Sequence, residues 1–271
     1  FFYRAGGDVS RWRMFWNGVA LLRRDFPLLL WRAWVDTKAR YRRSILGPYW
    51  LTIGTLTFVA GYSMLAGLLF KRPLEEFLGY IAAGVITWQF ISTNISEGSK
   101  IFVSDATEIR SVQTNLLNLP VKLLLRTLIG FLHSVPIVLL VVVFTDTINF
   151  NTLLFIPGLA LLSFSIVPLA TALGTLAARY RDIEQLITML MQFMFYMTPL
   201  LWKAELLGDG VGRWLALGNP FYHMITIVRN PLLGQSVPTE VWIGTLGFMF
   251  LSNLFGFALF ARYRQRIPFW I

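Results

Sequence analysis

Residues 49–70 read YWLTIGTLTFVAGYSMLAGLLF, 22 positions from Tyr49 to Phe70 without one charged side chain. As a helix rising about 1.5 Å per residue, this run extends roughly 33 Å, enough to cross a hydrocarbon core of about 30 Å. In lipid the backbone has no water to bond, so a run of this kind must satisfy its own N–H and C=O groups and be helical. The stretch therefore predicts a membrane span.

Outward from it, the same reading gives five more spans: Phe77–Ser96, Leu123–Thr145, Thr152–Ala178, Leu186–Trp202 and Val241–Ala261. The 271-residue chain is 56% hydrophobic and 14% charged, with a mean hydropathy of +0.60. A soluble domain carries about 25% charge. The expected fold is an all-α membrane protein of six transmembrane helices. Residues 1–48 form an amino-terminal region, 49–261 the membrane domain and 262–271 a tail.

The net charge of +10 would suit a nucleic-acid binder, but its distribution points elsewhere. With six spans, the amino terminus, Glu97–Lys122 with Arg126, Arg179–Gln185 and the carboxyl terminus share one side. That side holds 19 of the 24 basic and 8 of the 14 acidic residues. The positive-inside rule makes it cytoplasmic, with both termini there. The excess charge then faces the anionic headgroups of membrane lipids, and no nucleic acid is implied.

Two segments between these landmarks are unusual. Before the first span, Asp25 and Pro27 read as a helix start, and the helix runs to about Ser44. Leu28, Trp31, Trp34 and Val35 recur at helical spacing among Arg32, Lys38, Arg40, Arg42 and Arg43. This is the pattern of an amphipathic helix lying in the membrane interface, or of a basic flank that only anchors. The second segment, about 203–240, holds two apolar runs too short to span, Trp214–Leu217 and Phe221–Val228. Gly218, Asn219 and Pro220 separate them, so a re-entrant hairpin dipping in from the outer face is expected. Trp214, Asn219, Pro220, Phe221 and Tyr222 would form an outer gate.

The chemistry-bearing motifs are mostly missing. There is no cysteine, which excludes disulfides, thiolate-bound zinc and a thiol nucleophile. No phosphate-cradling G-x-x-x-x-G-K-[ST] and no G-x-S-x-G elbow occurs. The spans hold no carboxylate to bind a coupling ion, so the energy source must lie on another subunit. Two histidines make no metal site: His133 precedes Pro136 and is expected to bond a freed carbonyl, and His223 to bond a helix end. Polar and aromatic residues share helix faces in two spans: Thr52, Thr55 and Tyr62 in the first, Gln192, Phe195 and Tyr196 in the fifth. Such mixed faces suit a glycan path, since sugar C–H faces stack on rings while hydroxyls need polar partners. They suit polar helix–helix packing equally well.

Four motifs carry a resemblance. Arg40-Tyr41-Arg42-Arg43-Ser44-Ile45-Leu46-Gly47-Pro48-Tyr49-Trp50, Tyr180-Arg181-Asp182-Ile183, Thr198-Pro199 and Asn219-Pro220 occur in order around the six spans. Together they resemble the ABC-2-type permeases that export polysaccharides such as O antigen and capsule. The resemblance implies a homodimer in the bacterial inner membrane, with two copies of an ABC ATPase beneath that bind ATP and Mg²⁺; this chain itself needs no cofactor and is not an enzyme. It implies that the connection after the second span, with Asp105, Glu108 and Arg110, and the turn Tyr180, Arg181 and Asp182 contact that ATPase. The implied substrate is a long glycan on a lipid carrier, whose diphosphate Arg40, Arg42 and Arg43 are placed to meet. Arg262–Ile271 resembles the basic-aromatic tail of O-antigen and capsule exporters, a hint against teichoic acid. Two rivals remain at this point: an ABC-2 permease for a lipid or drug, and a membrane enzyme on lipid-linked sugars, for which Asp182 and Glu184 are the one close acidic pair at a span end.

Overall fold

A computed structural model describes residues 11–47, 49–71, 73, 75–111, 115–144, 149–203 and 210–271. Residues 1–10, Pro48, Thr145 and 204–209, parts of the amino-terminal region, the entrance motif, the third span and the outer segment, lie outside them. Every regular element among the described residues is a helix.

Helix α1 (Arg11–Arg40) precedes α2 (Tyr49–Phe70), whose bounds are those of the charge-free run. Then come α3 (Glu75–Ser99), two short pieces α4 (Ile101–Ser104) and α5 (Ala106–Ser111), and α6 (Asn118–Phe144). A 3-10 turn, Phe150–Leu154, leads into α7 (Phe155–Arg179), followed by α8 (Asp182–Met197). The short α9 (Val211–Leu217) and α10 (Pro220–Leu232) come next, then α11 (Thr239–Tyr263) and a terminal turn, α12 (Ile267–Trp270).

Among the described residues, four stretches are long and apolar enough to cross a membrane: Thr52–Leu69, Asn118–Leu140, Phe150–Arg179 and Thr239–Tyr263. The second and fifth sequence-predicted spans, in α3 and α8, fall outside this set. Helix α3 is the hub, packed against α2, α6, α7, α8 and α10. Ile81 through Trp88 are all buried along it, and polar Thr87 and Asn94 are buried with them. Asn94 Nδ2 donates to Thr127 Oγ1 of α6 at 2.7 Å, a polar contact between packed helices.

Small residues allow the closest crossings. A Cβ on Gly98 of α3 would lie 2.5 Å from the Ala170 Cβ of α7, and one on Gly174 would lie 2.8 Å from the Gly98 carbonyl oxygen. Gly244 of α11 faces the His223 ring, 2.6 Å from where its Cβ would stand. Between lipid-facing helices water supplies no drive to associate, so packing at this distance is what holds neighbours together.

Helix α1 starts earlier than the sequence suggests. Pro27 lies inside it rather than at its first turn, and Asp25 accepts from Asn118 Nδ2 at 2.8 Å instead of capping a helix start. The helix lies against the others along its length. Phe15 is buried against Phe257 of α11, and Leu29 and Ala33 pack on Leu125 of α6. Trp16, Phe26, Leu28, Trp31 and Trp34 remain exposed.

Candidate functional site

Three groups of residues carry the functional reading, at three levels along the bundle.

The first is a charged layer at the ends of α1, α3 and α6. Lys122 is partly enclosed among three carboxylates: Asp105 at 3.5 Å, Glu108 at 3.8 Å and Asp36 at 3.9 Å. Arg32 of α1 pairs with Glu108 at 2.7 Å. Two of the expected ATPase contacts, Asp105 and Glu108, are thus tied to α1 and α6 within the chain, and the third, Arg110, donates to the carbonyl oxygen of Ile271. Lys100 pairs with Glu184 in the first turn of α8 at 3.6 Å, so the two expected coupling elements touch. Tyr180, Arg181 and Asp182 are exposed beside them. The Arg179 guanidinium lies over the rings of Tyr180 (5.8 Å) and Trp270 (5.7 Å), which binds the tail to this layer.

The second group lines a cavity of about 150 Å³ between α1, α3 and α6, with Arg40, Arg126, His133, Gln89 and Thr93 among its walls. Glu97 bridges the two arginines: Arg40 Nη2 donates to its Oε1 at 3.3 Å and Arg126 Nη2 to its Oε2. Of the three entrance arginines, the structure brings Arg40 to this cavity, while Arg42 and Arg43 are exposed on the turn before α2. Arg43 has a φ of 72°, a left-handed conformation that costs an L-residue about 1–2 kcal/mol. His133 faces the Tyr49 ring at 5.5 Å and lines the cavity, rather than closing on a carbonyl freed by Pro136. Burial raises the Tyr41 pKa above the ordinary value of 10.0, against the opposing pull of Arg40, so its phenol stays neutral at physiological pH.

The third group joins α8 to α10 and α3. Helix α8 stops at Thr198-Pro199, and the carbonyls beyond its end collect donors. Arg229 Nη1 donates to the Pro199 oxygen at 2.7 Å, and its Nη2 to Thr226 Oγ1 at 3.3 Å. The Tyr80 hydroxyl lies 3.1 Å from the same Pro199 oxygen and 3.2 Å from that of Trp202. The guanidinium stacks 3.9 Å over the Tyr80 ring. Arg229 is only 2% exposed, and among the described residues no carboxylate pairs with it. The negative end of α8, a ring face and carbonyl oxygens together compensate the charge. Asn219 does two jobs here: its Oδ1 accepts from Phe221 N at 2.9 Å, starting α10, and its Nδ2 donates to Thr198 Oγ1 at 2.9 Å. His223 bonds the carbonyl of Leu217, the last residue of α9, at 2.7 Å.

Of the expected gate residues, Asn219 is buried in this joint and Phe221 sits edge-on to Trp88 at 5.5 Å. Tyr222 is half-buried, while Pro220 and Trp214 are exposed. The expected path residues divide. Thr55 is buried, 3.4 Å from Gln89 Oε1; Tyr62 stacks near Phe58 at 4.3 Å; Phe195 packs on Trp88 and Phe58. Thr52 is half-buried, whereas Gln192 and Tyr196 of α8 face outward. Within one chain these residues do not line a common conduit. Arg229, Tyr80, Glu97 and Lys122 belong to no motif in the sequence; the one cue there is a lone Arg229 directly after the apolar run Phe221–Val228.

Long apolar helices that bury a cation and bond its donors to broken helix ends define an integral membrane protein with a polar joint at one end and a charged layer at another. The match to known sequences specifies the class: residues 24–233 fit the ABC-2 type transporter family, and the chain belongs to it. It is similar to two proteins named O-antigen export system permease protein RfbA from Klebsiella pneumoniae. One is 23% identical over 235 residues, 85% of this chain and 86% of the relative; the other is 23% identical over 247 residues, 89% and 93%. A protein of the same name from Myxococcus xanthus is 24% identical over 194 residues, 70% of this chain and 74% of the relative.

Proposed function

We propose that this chain is the membrane subunit of an ATP-driven exporter that moves a lipid-linked polysaccharide, of the O-antigen class, across the bacterial inner membrane. The observation that carries the proposal is the near full-length similarity to export permeases of that name. Helices α3 and α8 complete six spans: α3 is sheltered from lipid by its neighbours, and so tolerates buried polar groups that a lone span would not. Helices α9 and α10 are the re-entrant pair, and both termini lie in the cytoplasm. The exposed Trp and Phe side chains of α1 sit in the headgroup region.

Two copies of the chain form the working unit. Gln192 and Tyr196 lie on the outward face of α8, where a second copy would close a path that one chain leaves open. An ABC ATPase in two copies docks on Tyr180–Asp182 and on the α4–α5 segment and supplies ATP and Mg²⁺. Asp105 and Glu108 then act through Lys122 and Arg32, which pass displacement from the docking segment to α1 and α6. Arg40, Arg42 and Arg43 meet the lipid diphosphate at the entrance.

Expressing this chain alone and with the ATPase encoded beside it tests the reading. The chain alone should be silent, and the pair should co-purify and hydrolyse ATP. A lone chain that turns over a lipid-linked sugar, or that captures no ATPase, would overturn it.

A further inference from the structure

The cavity between α1, α3 and α6 poses a charge problem. Arg40 and Arg126 bring two permanent positive charges to it, and Glu97 answers with one negative charge. Glu97 takes a single N–H from each guanidinium. Each guanidinium has five donors in a fork suited to bidentate phosphate binding. A carboxylate is therefore a partial match to this pair, and a diphosphate, with more charge and more acceptors, is a fuller one. The cavity has the volume of about five waters, which admits such a group.

We infer that Glu97 is an internal stand-in for the substrate: it occupies the Arg40–Arg126 pair until the diphosphate of an incoming lipid carrier displaces it. The inference rests on the proposed exporter function and extends its entrance site from the exposed Arg42 and Arg43 inward to the Arg40–Arg126 pair. It also gives the site a route to the coupling layer. Glu97 lies in the last turn of α3, three residues before Lys100, which pairs with Glu184 at the start of α8. Helix α1 is tied to the same region directly by Arg40–Glu97 and Arg32–Glu108, and through Lys122, which bridges Asp36 to Asp105 and Glu108. Releasing Glu97 undoes one of these ties, the one made by α3 itself, so an occupied entrance and an empty one differ in how α1 is held against the α3–α4 joint. By linkage, a partner that pulls α3 and α4 away from α1 raises the affinity for diphosphate.

The test uses the full chain in phosphatidylcholine nanodiscs, titrated calorimetrically with farnesyl diphosphate. Wild type should bind, Arg126→Gln should lose binding, and Glu97→Gln should bind about ten-fold tighter, the scale of one like charge removed near the ligand. A merely structural Glu97 would give the reverse, weaker binding with a loosened α1, and equal or weaker binding by Glu97→Gln overturns the inference. If Glu97→Gln does not fold, Glu97→Asp carries the test: its shorter side chain reaches the pair poorly and should also tighten binding, and unchanged binding counts against the stand-in role. Competition by phosphatidylglycerol mixed into the disc would show that the site takes bulk lipid phosphate, overturning the carrier-specific part. Wild type and Arg126→Gln that both fail to bind would overturn the site and leave the transport reading standing. A failure to capture an ATPase would do the opposite.

Discussion

Replacing Arg229 by alanine removes a charge that lipid would not tolerate exposed and that no acid among the described residues pairs with. The lost terms can be ranked from the geometry. The 2.7 Å bond from Nη1 to the Pro199 oxygen is a charge-assisted one, about 1.5–3 kcal/mol, and the 3.3 Å bond to Thr226 adds less. Stacking at 3.9 Å on Tyr80, away from water, contributes about 2 kcal/mol. Against these stands the desolvation of the cation, several kcal/mol that truncation gives back. The net loss for Arg229→Ala should be about 2–4 kcal/mol, and that for Arg229→Lys, which keeps charge but not the planar fork, about 1–2 kcal/mol. Tyr80→Phe provides the sharper test, because the Tyr80 hydroxyl and Arg229 share the Pro199 oxygen. Either change alone leaves that carbonyl one of these donors; both together remove the two that the described residues supply. The double variant should cost about 1 kcal/mol more than the sum of the singles. Unfolding of the solubilised chain by SDS in mixed micelles reads all four states. Strict additivity, or an Arg229→Ala chain within about 0.5 kcal/mol of wild type, refutes the joint as described.

Three further outcomes follow from other parts of the molecule. Gly98→Val should overpack the α3–α7 crossing and cost about 1–3 kcal/mol or more, read as a lower melting temperature, while Gly54→Val, with open space around its Cβ position, should leave the single chain's stability unchanged. Lys122→Met leaves Asp36, Asp105 and Glu108 facing one another; discounted for partial exposure, the loss should be about 1–2 kcal/mol, with faster hydrogen exchange confined to residues 101–111 and the facing part of α1. Tyr41 should ionise above pH 10: its folded-state pKa is raised, so its contribution is complete below the unfolded value and is lost as pH rises through the folded one. The absorbance difference between wild type and Tyr41→Phe at 295 nm should stay flat from pH 6 to 9, on the scale of ordinary tyrosine titration near 10; phenolate appearing there would contradict the burial.

Four of the six expected spans were legible because hydrocarbon penalises charge regardless of tertiary context. Tyr49–Phe70 needs no partner to be read, and its helix has those bounds. The short α9 and α10 were legible from Gly218, Asn219 and Pro220 for the same local reason, since Asn219 caps and Pro220 starts a helix. The sequence signal puts the start of α1 too late because Pro27 usually marks a first turn, yet a helix held by Phe15, Leu29 and Ala33 accommodates one missing N–H. The site's pairings were beyond local reading. Arg229 finds its carbonyl 30 positions away, Arg126 finds Glu97 at 29 and Arg40 finds the same Glu97 at 57. Nothing in the spacing of these residues announces that they meet; the meeting is a consequence of which helices α3 packs against. Hence the sequence shows Arg40, Arg42 and Arg43 as one local cluster, whereas in the structure Arg40 shares Glu97 with Arg126 of another helix.

The most direct test of the central claim is transport itself. The chain and its ATPase are reconstituted in vesicles with a fluorescent lipid-linked O-antigen glycan, and the fraction of glycan protected from an added glycosidase is followed. The account predicts that ATP and Mg²⁺ drive glycan into the protected lumen from inside-out complexes, and that vesicles with either subunit alone do not. Equal protection with and without ATP, or ATP-driven movement of the unglycosylated carrier alone, would contradict it.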